Sequence, residues 1–300
     1  PDYSSAASDV YKRQPMTFAL ILPLLGSFGI IPIIIAIYFA GELVWRDRER
    51  GMNEIIDSTA LPNWAYFIPK VIAVSAVLVA TLFIASLAAI FVQLLRGYVD
   101  LELHKYFFWF ILPFAVDMLM IAILAVFLQS LSSSKYVGWG LMAIYLVASI
   151  TLVSIGFEHP LYNFGETGFV RISDMNGTEV GGAKSWLLRL YWSGVCLILS
   201  VLSYLFWRRG VGISIASQIR RFPSRFKGAP AGVAFAGLLV SATSGAWLFY
   251  QMNVINEYVT SDEVEERLAD YEKSFLQYEG VGQPSITSVE LNVDLFPADG

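Results

Sequence analysis

Six stretches of the chain, residues 17–40, 71–95, 107–131, 136–156, 186–207 and 231–251, are almost uninterrupted in apolar side chains. Each can cross a hydrocarbon layer of about 30 Å as a helix, which takes roughly 20 residues. Helices are expected because lipid offers backbone N–H and C=O groups no partner. No period-two alternation within these stretches suggests a barrel. Four carry no charge, the third carries Asp117 and the fifth carries Arg189. Aromatic residues gather at their ends, among them Trp64 and Tyr66, Tyr106 and Trp109, Tyr204 and Trp207, and Trp247 and Tyr250. Such rings favour the membrane–water interface. The expected fold is an all-α polytopic membrane protein with six transmembrane helices.

The pattern changes after residue 251. Residues 252–300 hold eleven acids and two bases. Val264, Leu268, Tyr271 and Phe275 recur at helical spacing, which predicts a short acidic helix with one apolar stripe. Pro284 interrupts it, and residues 286–296 alternate, with Val289, Leu291, Val293 and Leu295 on one face. That predicts a half-buried strand, the first of a truncated external domain, since a lone strand needs a sheet. The opening residues 1–14 (PDYSSAASDVYKRQ) resemble a translated cloning adaptor and are set apart from the fold. The expected division is therefore 1–14, a membrane domain over 15–207 with five spans, a linker over 208–230, a sixth span over 231–251, and an extracytoplasmic part over 252–300. The whole is expected to be a fragment of a longer protein.

Composition sharpens this picture. Hydrophobic residues make up 56%, charged residues 15%, and the mean hydropathy is +0.59, too apolar for a water-facing surface. A net charge of −5 argues against a nucleic-acid partner. One cysteine, Cys196, excludes an intrachain disulfide and a cysteine-based zinc cluster. His104 and His159 fall in no H-E-x-x-H frame, and both are expected on the surface of external loops. No phosphate-binding G-x-x-x-x-G-K-[ST] loop occurs. The stretch therefore shows no catalytic motif, and no enzyme activity is expected from it. Placing the 41–70, 132–135 and 208–230 connections in the cytoplasm puts eleven Lys and Arg inside against five outside. The 208–230 linker has six bases and no acid, interleaved with Ile213, Ile215, Ile219, Phe222 and Phe226. It reads equally as an interfacial segment on anionic membrane lipids or as a plain cytoplasmic loop.

Segment 41–64, GELVWRDRERGMNEIIDSTALPNW, follows the first span. It mixes Glu42, Asp47, Glu49, Glu54 and Asp57 with Arg46, Arg48 and Arg50. Gly51 can end one helix and start another, and residues 53–60 predict a short helix with Ile55 and Ile56 on one side, before Pro62. A short amphipathic helix among charges suits docking into another protein's groove, although an ordinary solvated loop has a similar composition.

Arg48-Glu49-Arg50-Gly51-x-x-Glu54-Ile55-Ile56, followed by Leu61-Pro62, resembles the coupling-helix loop of ABC-2-type transporter permeases. In that family E-R-E-x-G-T-x-E-x-L-L follows a span and precedes a proline. Here Met52 stands for the usual Thr and Pro62 lies slightly later. The resemblance implies an ABC ATPase partner that holds the ATP, and a second permease half or a homodimer. It also implies a contact surface drawn from Glu42, Arg46, Arg48, Glu49, Arg50, Gly51, Glu54, Ile55, Ile56, Asp57 and Pro62. Residues 286–297 resemble the opening strand of aminopeptidase N-like zinc metallopeptidases. The layout over 17–300 is similar to bacterial inner-membrane proteins that fuse such a permease to such a peptidase. That likeness puts zinc only in a domain beyond Gly300, so no cofactor is expected in this stretch. The competing expectations are a membrane anchor for an external zinc aminopeptidase-like domain, without transport, and a sensor or scaffold.

Asp117 is costly in mid-span, by about 2.5–3.5 kcal/mol on insertion scales, and such residues commonly face a bundle interior or a water path. It is a candidate for the translocation path or a structural hydrogen-bonding group. Arg189 is expected to snorkel toward the outer interface. Gly237, Ser241 and Gly245 form a small-residue ridge suited to helix packing.

Overall fold

The computed structural model describes residues 16–59, 61–168, 170–173, 175–207, 226–282 and 288–291. Its helices are α1 (Thr17–Ser27), α2 (Ile31–Glu49), α3 (Asn53–Asp57), α4 (Trp64–Leu95), α5 (Leu103–Leu131), α6 (Lys135–Ser154), α7 (Glu179–Phe206), α8 (Ala229–Ile255) and α9 (Ser261–Phe275). The chain divides into two compact units, Pro1–Glu257 and Tyr258–Gly300. In the first, α4 to α8 are each long and apolar enough to cross a membrane, and α1 with α2 adds a sixth span if the bent pair is one crossing.

The first expected span is not one straight helix. α1 and α2 meet at a bend of 56°. Gly26 and Gly29 weaken the helix there, and Pro32 sits in the first turn of α2, where its missing N–H leaves no bond unmade. Residues 41–49, expected as loop, are instead the end of α2. Nothing in them breaks a helix, and Gly41 is needed for packing: a Cβ there would overlap the Trp139 ring of α6. α4 and α5 begin at Trp64 and Leu103, earlier than the apolar stretches, because Lys70 and Lys105 interrupt the hydropathy but not the helix.

α5 is the centre of the bundle and packs against α2, α4, α6 and α7. α4 turns one stripe inward (Val71, Val74, Leu78, Leu82, Ser86, Ala89 and Gln93), spaced three or four apart as a helix face requires. A π-helical turn at Tyr106–Ile111 precedes Pro113, where the α ladder already lacks an N–H. Ser75 Oγ and Trp139 Nε1 are buried without a hydrogen bond, but the polar groups at the α1 end of this core are paired. Buried Tyr106 donates to Gln93 Oε1 at 2.9 Å, and Gln93 Nε2 donates to Thr17 Oγ1 at 3.2 Å, tying α1 to the ends of α4 and α5.

The small-residue ridge of α8 lies on α7. A Cβ on Gly194 would sit 2.7 Å from both the Gly237 carbonyl oxygen and the Ser241 nitrogen, and one on Gly237 would sit 2.7 Å from the Gly194 carbonyl oxygen. The backbones touch because neither position carries a side chain. α7 becomes regular only after Val180 and Gly181, which leave helical geometry.

His159, expected on the surface, is 6% exposed. It packs against Tyr162 and Phe249, lies 3.1 Å from Asn253 Nδ2, and accepts the Leu161 N–H at Nδ1. It thereby fastens the connection after α6 to the end of α8. Burial, assisted by the Lys184 charge, pushes its pKa below the usual histidine range.

In the second unit, α9 opens with a capping box in which Thr260 and Glu263 satisfy each other's backbone N–H groups. Val264, Leu268, Tyr271 and Phe275 form the expected stripe and are exposed. Among the described residues there is no strand. Ser288–Leu291 has no regular structure, and the rest of the expected strand lies outside the described residues, as does most of the basic linker, 208–225.

Two outcomes follow from this packing. Gly194→Val forces the α7 and α8 backbones apart and costs about 1–3 kcal/mol of stability in detergent unfolding. Gly232→Val, on the same helix pair but with nothing within 4 Å, is close to neutral. For His159 the lowered pKa means the unfolded chain binds the proton more readily. Its contribution is present above about pH 6.5 and is lost as pH falls through 6.5 toward the folded value. Amide exchange over residues 157–163 should accelerate on acidification beyond the chemical exchange correction, and His159→Gln should remove that excess.

Candidate functional site

Two regions bring together the candidate residues. The first is the end of the bundle where α2, α3 and α4 meet. α2 ends in a Schellman turn: Gly51 takes φ +66°, the Met52 N–H bonds the Asp47 carbonyl at 2.9 Å, and the Gly51 N–H bonds that of Arg48 at 3.1 Å. A residue with a Cβ is disfavoured at that φ, so the glycine sets the reversal into α3.

The acids of α2 pair with lysines of neighbouring helices. Lys135, at the start of α6, bonds Glu42 at 3.0 Å and Glu49 at 2.8 Å. Lys70 of α4 bonds Asp47 at 2.8 Å and the Leu43 carbonyl at 2.7 Å. Trp45 donates to Gln129 of α5 at 3.0 Å, and Arg48 stacks over the Trp45 ring at 5.2 Å. Glu42, Asp47 and Glu49 are therefore committed to intrachain partners, whereas Arg46, Arg50, Gly51, Glu54 and Pro62 are exposed.

α3 is held from its inner side. Tyr66 of α4 and Thr59 both donate to the Ile56 carbonyl, at 3.0 and 2.6 Å. Ile56 and Asp57 line a small cleft with Tyr66, Gln129 and Trp207. Ile55 is 67% exposed on the opposite side, next to Glu54. Asn63, just ahead of α4, donates to the Tyr204 carbonyl of α7 at 3.0 Å, so the start of α4 is also fixed to α7.

The second region contains Asp117. Arg189 does not snorkel: it turns inward and is 6% exposed. Its Nε and Nη2 meet the two Asp117 carboxylate oxygens at 2.9 and 2.8 Å, and its Nη1 donates to Ser185 Oγ at 2.6 Å. The pair is two-pronged because the planar guanidinium matches the carboxylate. Snorkelling loses because a buried carboxylate one helix away compensates the charge better than a stretched side chain. Asp117 and Arg189 line a cavity of about 760 Å³ bounded by α1, α2, α5, α6, α7 and the connection after α6. Segment 41–64 contributes nothing to this cavity, so the two regions are separate.

The fixing residues Lys70, Lys135, Tyr66, Gln129 and Trp45 escaped sequence reasoning. Lone lysines at span ends were a usable signal, since α2 carries three acids within reach. Comparison with known protein families, curated proteins and solved structures finds no match.

A mutant cycle tests the pair. Asp117→Ala leaves the guanidinium buried without its partner and should cost about 3–5 kcal/mol in unfolding. The double variant Asp117→Leu with Arg189→Leu should recover most of that loss. An additive double variant would show that the two side chains do not act together.

Proposed function

We propose that this chain is the membrane subunit of an ATP-driven transporter of the ABC-2 permease type, working in a bacterial inner membrane with its 41–64 segment on the cytoplasmic side. The observation that supports this is the disposition of α3. Glu54 and Ile55 face outward on a short helix whose inner side is fastened by Tyr66, within the sequence frame Arg48-Glu49-Arg50-Gly51-x-x-Glu54-Ile55-Ile56. A helix with one bare apolar–acidic face and one anchored face suits a groove on a partner ATPase.

The mechanical reading follows from the bonds. A push on α3 reaches α2 through the Gly51 turn and α4 through Tyr66. Lys70–Asp47 and Lys135–Glu42/Glu49 spread it to α4 and α6. ATP would bind to the partner, and a second permease half or a second copy would complete the pathway. Of the predicted contact residues, Arg46, Arg50, Gly51, Glu54, Ile55 and Pro62 remain available for docking, while Glu42, Asp47 and Glu49 serve as transmission links. A membrane anchor without transport leaves the bare Glu54–Ile55 face without use.

The test is a photo-crosslinking amino acid at Ile55, in membranes of the source cell. The expected product joins the chain to an ATPase bearing a Walker motif. Glu54→Arg should abolish it while membrane insertion stays intact. A correctly inserted chain that crosslinks no ATPase from Ile55 overturns the reading.

A further inference from the structure

We propose that the cavity beside Asp117 and Arg189 is a binding site for amphiphilic cations, with an apolar body among its walls and the positive charge at the Glu166 carboxylate. Its volume, about 760 Å³, falls in the range of small-molecule sites, roughly 300–1,000 Å³. The walls are mostly apolar, and aromatic rings recur in them: Phe28, Phe114, Tyr145 and Phe164, besides Trp109 and Trp186, which already face Lys105 and Arg189. Ring faces attract cations, quaternary ones included, most strongly where water is scarce.

The charges in the wall decide the sign of the ligand. Asp117 and Arg189 neutralise each other in a two-pronged pair, and Ser185 takes a further guanidinium N–H. Glu166 is left over. Its Oε1 accepts the Gly168 N–H at 3.0 Å, the residue is part of the cavity lining, and it lies close enough for its charge to act on Asp117. Among the described residues no lysine or arginine pairs with it. The lining therefore carries one surplus negative charge, at its exposed edge, which favours a cation and repels an anion. Phe164 and Glu166 are held in place by α6 and α7: Tyr145 donates to the Phe164 carbonyl at 3.0 Å and Trp192 to the Glu166 carbonyl at 3.1 Å. The rim includes Ile30 and Ile150, both exposed, so a ligand dissolved in lipid meets an apolar mouth.

This inference is independent of ATPase coupling. Loss of cation binding leaves the Ile55 crosslink untouched, and absence of an ATPase leaves the cation titration unchanged. Tetraphenylphosphonium and tetraphenylborate provide the test, being alike in size and shape and opposite in charge. Equilibrium dialysis is performed with the purified chain in nanodiscs, with empty nanodiscs subtracting lipid partition. Tetraphenylphosphonium should bind saturably and about tenfold or more tighter than tetraphenylborate. Glu166→Gln, on an exposed connection, should remove most of that preference. Ser149→Trp, which fills the cavity from α6, should remove saturable binding of both. Equal affinity for the two ions, no saturable binding above empty nanodiscs, or binding untouched by Ser149→Trp each overturns the proposal.

Discussion

Hydrocarbon supplies no hydrogen-bond partner, and the bundle is organised around that deficit. The described part of the first unit is mostly helical, and two of its helix breaks show how the lost bonds are limited. The α1–α2 break uses a proline in a first turn. The α2 end uses Gly51, which folds two N–H groups back onto α2 carbonyls. Several buried side chains obey the same constraint: Thr17, Gln93 and Tyr106 satisfy one another, and Asp117 is matched by Arg189. Apolar packing holds the helices together, but these polar closures determine where each helix stops and which neighbour it faces.

The constraint also separates two kinds of charge in segment 41–64. Charges that reach a span end are drawn into it, as with Glu42, Asp47 and Glu49 on Lys135 and Lys70. Beyond the Gly51 reversal, Glu54 faces outward while Asp57 lines the cleft beside Tyr66. The result is a segment pinned at its root, with Glu54 and Ile55 exposed at its tip.

Much of this was legible in the sequence. Long apolar runs identify helices α4 to α8 because a span leaves no room for polar interruption, and Gly51 followed by Asn53 and Glu54 marks a helix reversal by its own chemistry. The extension of α2 through Glu49 was not legible, since charged residues at a span end read as loop until their lysine partners are known. Arg189 shows the same difficulty more sharply. A lone arginine near the end of an apolar run has two outlets, and only the position of Asp117, 72 residues earlier, decides between them. Pairings across that separation depend on how helices stack, which hydropathy does not encode. The ridge on α8 was visible as spacing, but its partner Gly194 emerges only once α7 lies against it.

That last contact has a mechanical consequence. α8 leans on α7, and at Gly194 and Gly237 there is no side-chain cushion between the two backbones to absorb a displacement. A tilt of α7 is therefore handed to α8 without slack, as in two rods bolted side by side. α7 is also the helix that carries Arg189 on the cavity wall and is clasped near its other end by Asn63. The α8 helix is thus carried by the same beam that frames the cavity.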